Sequence, residues 1–149
     1  MKAIITLGLP ASGKSTFLET LDLNLQYQTF DADQYTSEEK DPEKAHIDRN
    51  EQMCRDIISY GVNGTGDMII VAASGGCRFE DTLNCLITWG YDIIILYFDT
   101  ELEVCLEQNQ MRDRKVPEEV IRNSVEQLRK NLAIANQYAT AMYSILPTL

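Results

Sequence analysis

Basic residues are scarce in this chain. Against 23 aspartates and glutamates stand 13 lysines and arginines, a formal net charge of −10 over 149 residues. That balance opposes loose adhesion to nucleic acid or to anionic membranes, so a polyanionic substrate needs a local basic patch. The cysteines form no framework: Cys54, Cys77, Cys85 and Cys105 are widely separated and make no C-x-x-C pair. Metal-knuckle and disulfide-scaffold readings are therefore excluded, and free thiols in a reducing cytoplasm are expected, a host's cytoplasm if the chain is viral. A single histidine, His46, is read as lying on a solvated helix face. No apolar run approaches the roughly 20 residues of a membrane span, and none precedes a cleavage-like site, so no membrane association is expected. Repeats, low-complexity tracts and linkers are missing too. One domain over residues 1–149 follows, long enough for a real core and too short for two.

What the chain does have is Gly8-Leu9-Pro10-Ala11-Ser12-Gly13-Lys14-Ser15-Thr16, directly after the apolar run Ala3-Ile4-Ile5-Thr6-Leu7. This is a complete G-x-x-x-x-G-K-[ST] phosphate loop. A polyphosphate needs many donors at close range, and a glycine-bearing loop lets successive backbone N–H groups turn inward without side chains intervening. In that mechanism Lys14 meets the β- and γ-phosphates as a point charge and the Ser15 hydroxyl takes Mg²⁺. The motif requires a strand before it and a helix after it. Both flanks comply, since Phe17, Leu18 and Leu21 mark the helical side. A nucleoside triphosphate, ATP with Mg²⁺, is the first ligand implied.

Further along, apolar runs alternate with helical patterns, the signature of a parallel sheet wrapped by helices. Tyr27–Asp31 reads as a weak second strand with Asp33 just beyond it. Asp41-Pro42 caps a helix that runs to about Tyr60 and closes at Gly61. Met68–Ala73 and Tyr91–Phe98 read as strands covered on both faces. Between them a helix runs from about Arg78 to Trp89 and is ended by Gly90. Thr100-Glu101-Leu102-Glu103 reads as a capping box. The expected fold is α/β, a three-layer arrangement with a parallel sheet of about five strands flanked by helices, and a site at the carboxyl ends of the strands.

Gln110–Pro117 holds the one dense basic cluster, Arg112, Arg114 and Lys115. Phosphoryl transfer spreads negative charge over the moving group, and cations carried by a short lid are a way to stabilise it. Arg112 and Arg114 are both candidates. A helix follows from Val116-Pro117-Glu118-Glu119, the longest in the chain, with Val120, Ile121, Val125, Leu128, Leu132 and Ile134 approximating its packed face.

Taken together, the phosphate loop, the Phe30-Asp31-Ala32-Asp33-Gln34-Tyr35 segment and the passage from Arg112 through Val116-Pro117-Glu118-Glu119-Val120-Ile121 resemble the 5′-kinase domain of phage polynucleotide kinase. Zeta-toxin-like and other AAA-type small kinases are its wider relatives. The resemblance spans the chain in element order, although the phosphate loop is its one specific motif. It implies kinase chemistry, with Asp33 matching the aspartate that activates the attacking hydroxyl and Arg112 matching the lid arginine, Arg114 being the alternate. Independently of any family, a carboxylate at a strand's carboxyl end is placed to accept a proton from a nucleophile facing the γ-phosphate, a role open to Asp31 as well.

Two positions depart from the pattern. An arginine that holds a substrate phosphate is replaced by Thr36, and the aspartate expected at the end of the third strand is replaced by Ala73-Ser74-Gly75-Gly76. The leading acceptor implied is a nucleic-acid 5′-hydroxyl. A small hydroxyl compound (nucleoside, nucleotide, sugar or hydroxymethylated base) is the second, and a nucleotide-binding regulator is the third.

Overall fold

The run Ala3–Leu7 is apolar without alternation because both of its faces are covered. In the computed structural model it belongs to β1 (Lys2–Leu7), which is hydrogen-bonded on one edge to β3 (Met68–Ala72) and on the other to β4 (Asp92–Phe98). The structure describes residues 1–20, 28–62, 68–72, 78–113 and 115–145, and of Asp33, Gly61 and Val62 the backbone alone. Among the described residues five strands form one parallel sheet, completed by β2 (Gln28–Asp31) beside β3 and β5 (Ala141–Ile145) beside β4, in the order β2-β3-β1-β4-β5. Ile5, Leu7, Ile69, Leu83, Leu86, Ile93, Ile95 and Ile121 are fully buried in its core.

Helices flank the sheet, giving the expected α/β architecture: α1 (Lys14–Glu19), α2 (Pro42–Val62), α3 (Phe79–Thr88), α4 (Leu102–Gln110) and α5 (Glu118–Tyr138). Gly90 ends α3 as expected, at φ +83°, a left-handed conformation that a side chain would resist. Some details differ from the sequence reading. Gly61 does not stop α2, which continues to Val62 and equals α5 at 21 residues. On α5 the inward face is Ile121, Leu128, Asn131 and Ala135, while Val120 is exposed, because the 3.6-residue period carries position 120 off the face that position 121 occupies.

Packing between α2 and α3 includes polar groups that satisfy one another. The Thr82 hydroxyl donates to Asn50 Oδ1 at 2.9 Å inside the core. Cys54 and Cys85 influence each other's titration across the same interface: the neighbouring Cys54 lowers the Cys85 thiol, while Cys85 and burial raise that of Cys54 and hold it protonated. No described helix is long and apolar enough to cross a membrane.

Because β1 is central, the loop that leaves it emerges in mid-sheet. The neighbours of β1 are β3 and β4, and the chain passes from one side of β1 to the other between them. That reversal opens a crevice at the strands' carboxyl ends.

Candidate functional site

Residues 8–13 turn tightly at the carboxyl end of β1. Ser12 N–H donates to Leu9 O at 3.1 Å, Ala11 takes φ +64° and Gly13 φ +102°, so two left-handed residues are spent on curling the backbone before α1 begins at Lys14. Gly8 is required by space: a Cβ there would lie 2.7 Å from Ser12 Oγ and 3.1 Å from the Phe98 carbonyl oxygen. The Thr100 hydroxyl donates to Ser12 O at 2.9 Å and is buried. This corrects the capping-box reading. α4 starts at Leu102 with Glu101 at its N-cap and no side-chain cap bond, since the Thr100 hydroxyl is taken by the loop. Phe17 of α1 meets Phe98 edge-on, with centroids 5.4 Å apart, and ties the far end of the loop to β4.

Two groups in this loop are set for an anion. Lys14 Nζ donates to Gly8 O at 2.6 Å and Leu9 O at 2.8 Å, holding the ammonium over the loop. Ser12 Oγ is buried and has no hydrogen-bond partner among the described residues. A buried hydroxyl without a partner is costly, and an oxygen-rich ligand in the adjoining space would satisfy it.

That space is a cavity of about 790 Å³, within the size range of ligand sites. Gly8, Pro10, Ala11, Ser12, Gly13, Lys14, Ser15 and Thr16 all line it, so the eight loop residues singled out in the sequence share one wall. The two ends of the cavity differ in chemistry. Toward β4 and β5 the lining is largely apolar, from Phe98, Ile145, Met111, Val116 and Leu128, with Gln108 and Ser124 as polar points. Toward β2 and β3 it is Asp31, Ala72 and His46. Among the described residues the cations of the lining are Lys14 and Arg112.

The β2 end is braced by α2. Asp48, Gln52 and Asp56 recur every fourth residue and therefore share one face of that helix. Each holds the segment after β2: Tyr35 Oη donates to Asp56 at 2.6 Å, Gln52 Nε2 donates to the Thr36 carbonyl at 2.9 Å, and Ser37 Oγ donates to Asp48 at 2.7 Å. Burial, then the bond to Asp56, pushes the Tyr35 phenol well above its ordinary range, so it remains a donor at any working pH. The strap fixes the single 3₁₀ turn Ala32–Gln34, whose middle residue is Asp33. Asp31 lines the cavity directly, while the side chain of Asp33 lies outside the described residues.

His46 is a correction. The sequence suggests a solvated helix face, yet the residue lines the cavity and is half-buried. The signal was present: His46, Asn50, Met53 and Ile57 follow a 4-3-4 spacing, and the last three are buried in the core, so His46 continues their stripe by one turn.

On the opposite wall, residues 111–117 join α4 to α5. Asn109, itself buried, clasps this lid at its far end: Nδ2 donates to Val116 O at 2.6 Å and Oδ1 accepts from Val116 N–H at 2.9 Å. The sequence offered no signal for this. Arg112 is exposed, lines the cavity and is steadied through its N–H to Asn109 O at 3.3 Å. Arg114, Ser74 and Cys77 lie outside the described residues. Arg78 pairs with Asp81 at 3.0 Å and is not part of the lining. Replacing Asn109 by alanine removes both partners of the Val116 peptide groups and should cost about 1–3 kcal/mol, read as an earlier midpoint in urea unfolding.

A family described as an AAA domain matches residues 4–134. The chain belongs to the AAA domain family. Its fold is that of a P-loop kinase. A chain of the Pnkp1/Rnl/Hen1 RNA repair complex matches with a TM-score of 0.66 at 21% identity, over 89% of this chain and 45% of that one. The AAA domain chain thus spans less than half of that protein's length. A shikimate kinase from Bacteroides thetaiotaomicron matches with a TM-score of 0.63 at 14% identity, over 96% of this chain and 86% of that one. A gluconokinase from Sinorhizobium meliloti 1021 does so at 0.63 and 14%, over 99% and 83%. No curated protein matches the sequence.

Proposed function

We propose that this P-loop domain is a kinase that transfers the γ-phosphoryl group of ATP to a hydroxyl. The observation that carries the reading is the loop at the centre of the sheet, where a tethered ammonium and an unsatisfied buried hydroxyl adjoin one cavity. The backbone N–H groups at the end of the loop, Gly13 to Ser15, and the Lys14 ammonium bind the triphosphate. The apolar end formed by Phe98, Met111 and Ile145 suits a nucleobase, and the polar end at Asp31 suits an acceptor hydroxyl.

Mg²⁺ fits this site through Ser15, which lines the cavity. Among the described residues no cluster of three or more carboxylate, thiol or imidazole groups offers a protein cage. A metal held mainly by phosphate oxygens and water is the ordinary state for this ion, which dehydrates reluctantly; bound there it neutralises phosphate charge. Asp33, or Asp31 beside it, accepts or orients the proton of the attacking hydroxyl. Arg112, with Arg114 as alternate, stabilises the charge that develops on the transferred group.

The acceptor supported by the motif register is a nucleic-acid 5′-hydroxyl. A small hydroxyl compound is the second reading, favoured by Thr36 at the position where an arginine would hold a substrate phosphate. The test is transfer of label from γ-labelled ATP, in Mg²⁺, to a 5′-hydroxyl oligonucleotide, nucleosides and sugars. Label on no acceptor despite ATP binding would favour a nucleotide-binding regulator. In the same assay Arg112→Ala should lower kcat by roughly tenfold or more while weakening ATP binding less, as a group acting mainly in the transition state must.

A further inference from the structure

Resting on the kinase reading, we propose that Thr100 is a positioning residue of the phosphate loop: its hydroxyl holds the Ser12-Gly13 peptide in the orientation that turns the Gly13 N–H toward the cavity, and so toward a polyphosphate.

The Thr100 hydroxyl donates to the Ser12 carbonyl at 2.9 Å, and both residues are buried. Ser12 and Gly13 line the cavity, whereas Thr100 does not. In a planar trans peptide the C=O and the N–H that follows it point in opposite directions. A Ser12 carbonyl drawn to Thr100 therefore sends the Gly13 N–H the other way, toward the space that Gly13 lines.

The loop does not fix that choice by itself. The peptides on either side are tied locally: Ser12 N–H donates to Leu9 O at 3.1 Å, and Gly13 O accepts from Phe17 N–H at 3.0 Å. The peptide between them takes its tie from a residue 88 positions away. Gly13 stands at φ +102°, and without a Cβ it adopts either sign of φ at similar cost. Even a Cβ built there meets nothing within 4 Å, so no neighbour blocks a turn of the chain at this point. Turning the Ser12-Gly13 peptide over would bring φ of Gly13 to the ordinary negative side and present a carbonyl oxygen to the phosphates in place of an N–H. Thr100 opposes that flip, because it would leave a buried hydroxyl without its acceptor. The residue is itself well held at the end of β4. Its N–H donates to Phe98 O at 2.9 Å, and its carbonyl accepts from the buried Cys105 thiol at 3.7 Å.

The test measures ATP and inorganic tripolyphosphate binding by calorimetry, in Mg²⁺, for the wild type, Thr100→Val and Thr100→Ser. Thr100→Val keeps the shape without the donor and should weaken both ligands by about the same factor, roughly tenfold, the worth of one hydrogen bond to a charged group. Thr100→Ser, which keeps the hydroxyl, should bind as the wild type does. Unchanged affinity in folded Thr100→Val overturns the proposal, because a purely structural bond would lower the urea midpoint and leave binding by the folded protein alone. Equal loss in Thr100→Ser overturns it too. Should Thr100→Val not fold, the wild type decides. Carbonyl-¹³C serine with ¹⁵N glycine selects the Ser12-Gly13 and Ser74-Gly75 amides in an NMR spectrum, and Ser74→Ala removes the second. Tripolyphosphate should move the Gly13 amide proton downfield; a bound ligand that leaves it in place overturns the proposal. Failure of the kinase reading looks different: the wild type would then bind neither ligand, or Lys14→Ala would bind both equally well.

Discussion

Replacing Lys14 with alanine should weaken ATP binding by roughly ten- to hundredfold, the worth of a charge-assisted contact of about 1.5–3 kcal/mol. The ammonium already lies over the loop, bonded to the carbonyls of Gly8 and Leu9. A triphosphate entering the cavity exchanges those neutral carbonyl acceptors for anionic oxygens, a stronger partner for the same donor. Without Lys14 the loop itself offers the phosphates only backbone dipoles and hydroxyls, with no charge. The side chain is only half-buried and the bends at Ala11 and Gly13 do not depend on it, so the fold should survive, which circular dichroism and urea unfolding would check. Calorimetry returning equal affinity for the two proteins would remove the phosphate-loop assignment and everything built on it.

The sequence was most readable where one physical demand dominates. A strand covered on both faces must be apolar throughout, so β1, β3 and β4 were found within a residue or two. A left-handed turn wants glycine, so Gly90 closed α3 at the expected place. The loop from Gly8 to Thr16 was legible because its chemistry restricts residue type at fixed spacing. Legibility failed where two demands competed for one residue. Thr100 has the chemistry of a helix cap, but a carbonyl 88 positions earlier in the chain, that of Ser12, claims its hydroxyl. Asn109 is a polar residue on a polar helix, and nothing nearby says that it is buried to clasp Val116. β5 is short and half-exposed, and its register comes from pairing with β4, which no local pattern reports. His46 looked solvated because its neighbours are charged; only the stripe it continues reveals the cavity.

The second large effect concerns the carboxylates after β2. Asp33→Asn should lower kcat by roughly a hundredfold or more while ATP affinity stays nearly constant, because an amide keeps the shape of the carboxylate but does not take up the acceptor's proton. The turn that carries Asp33 is held to α2 by Tyr35, the Thr36 carbonyl and Ser37, so the substitution should not displace its backbone. Asp31 is the rival. It lines the cavity at the last position of β2, paired in register with Ala72, and so lies on the more rigid of the two supports. Steady-state rates for Asp33→Asn and Asp31→Asn, each with ATP affinity measured separately, divide the roles. A large loss in the first and a modest one in the second assigns proton acceptance to Asp33, leaving Asp31 to orient the acceptor. The reverse order moves the chemistry to the sheet edge. If neither variant loses more than about tenfold, the acceptor hydroxyl is not activated by a carboxylate, and positioning with charge stabilisation by Lys14 and Arg112 must supply the rate.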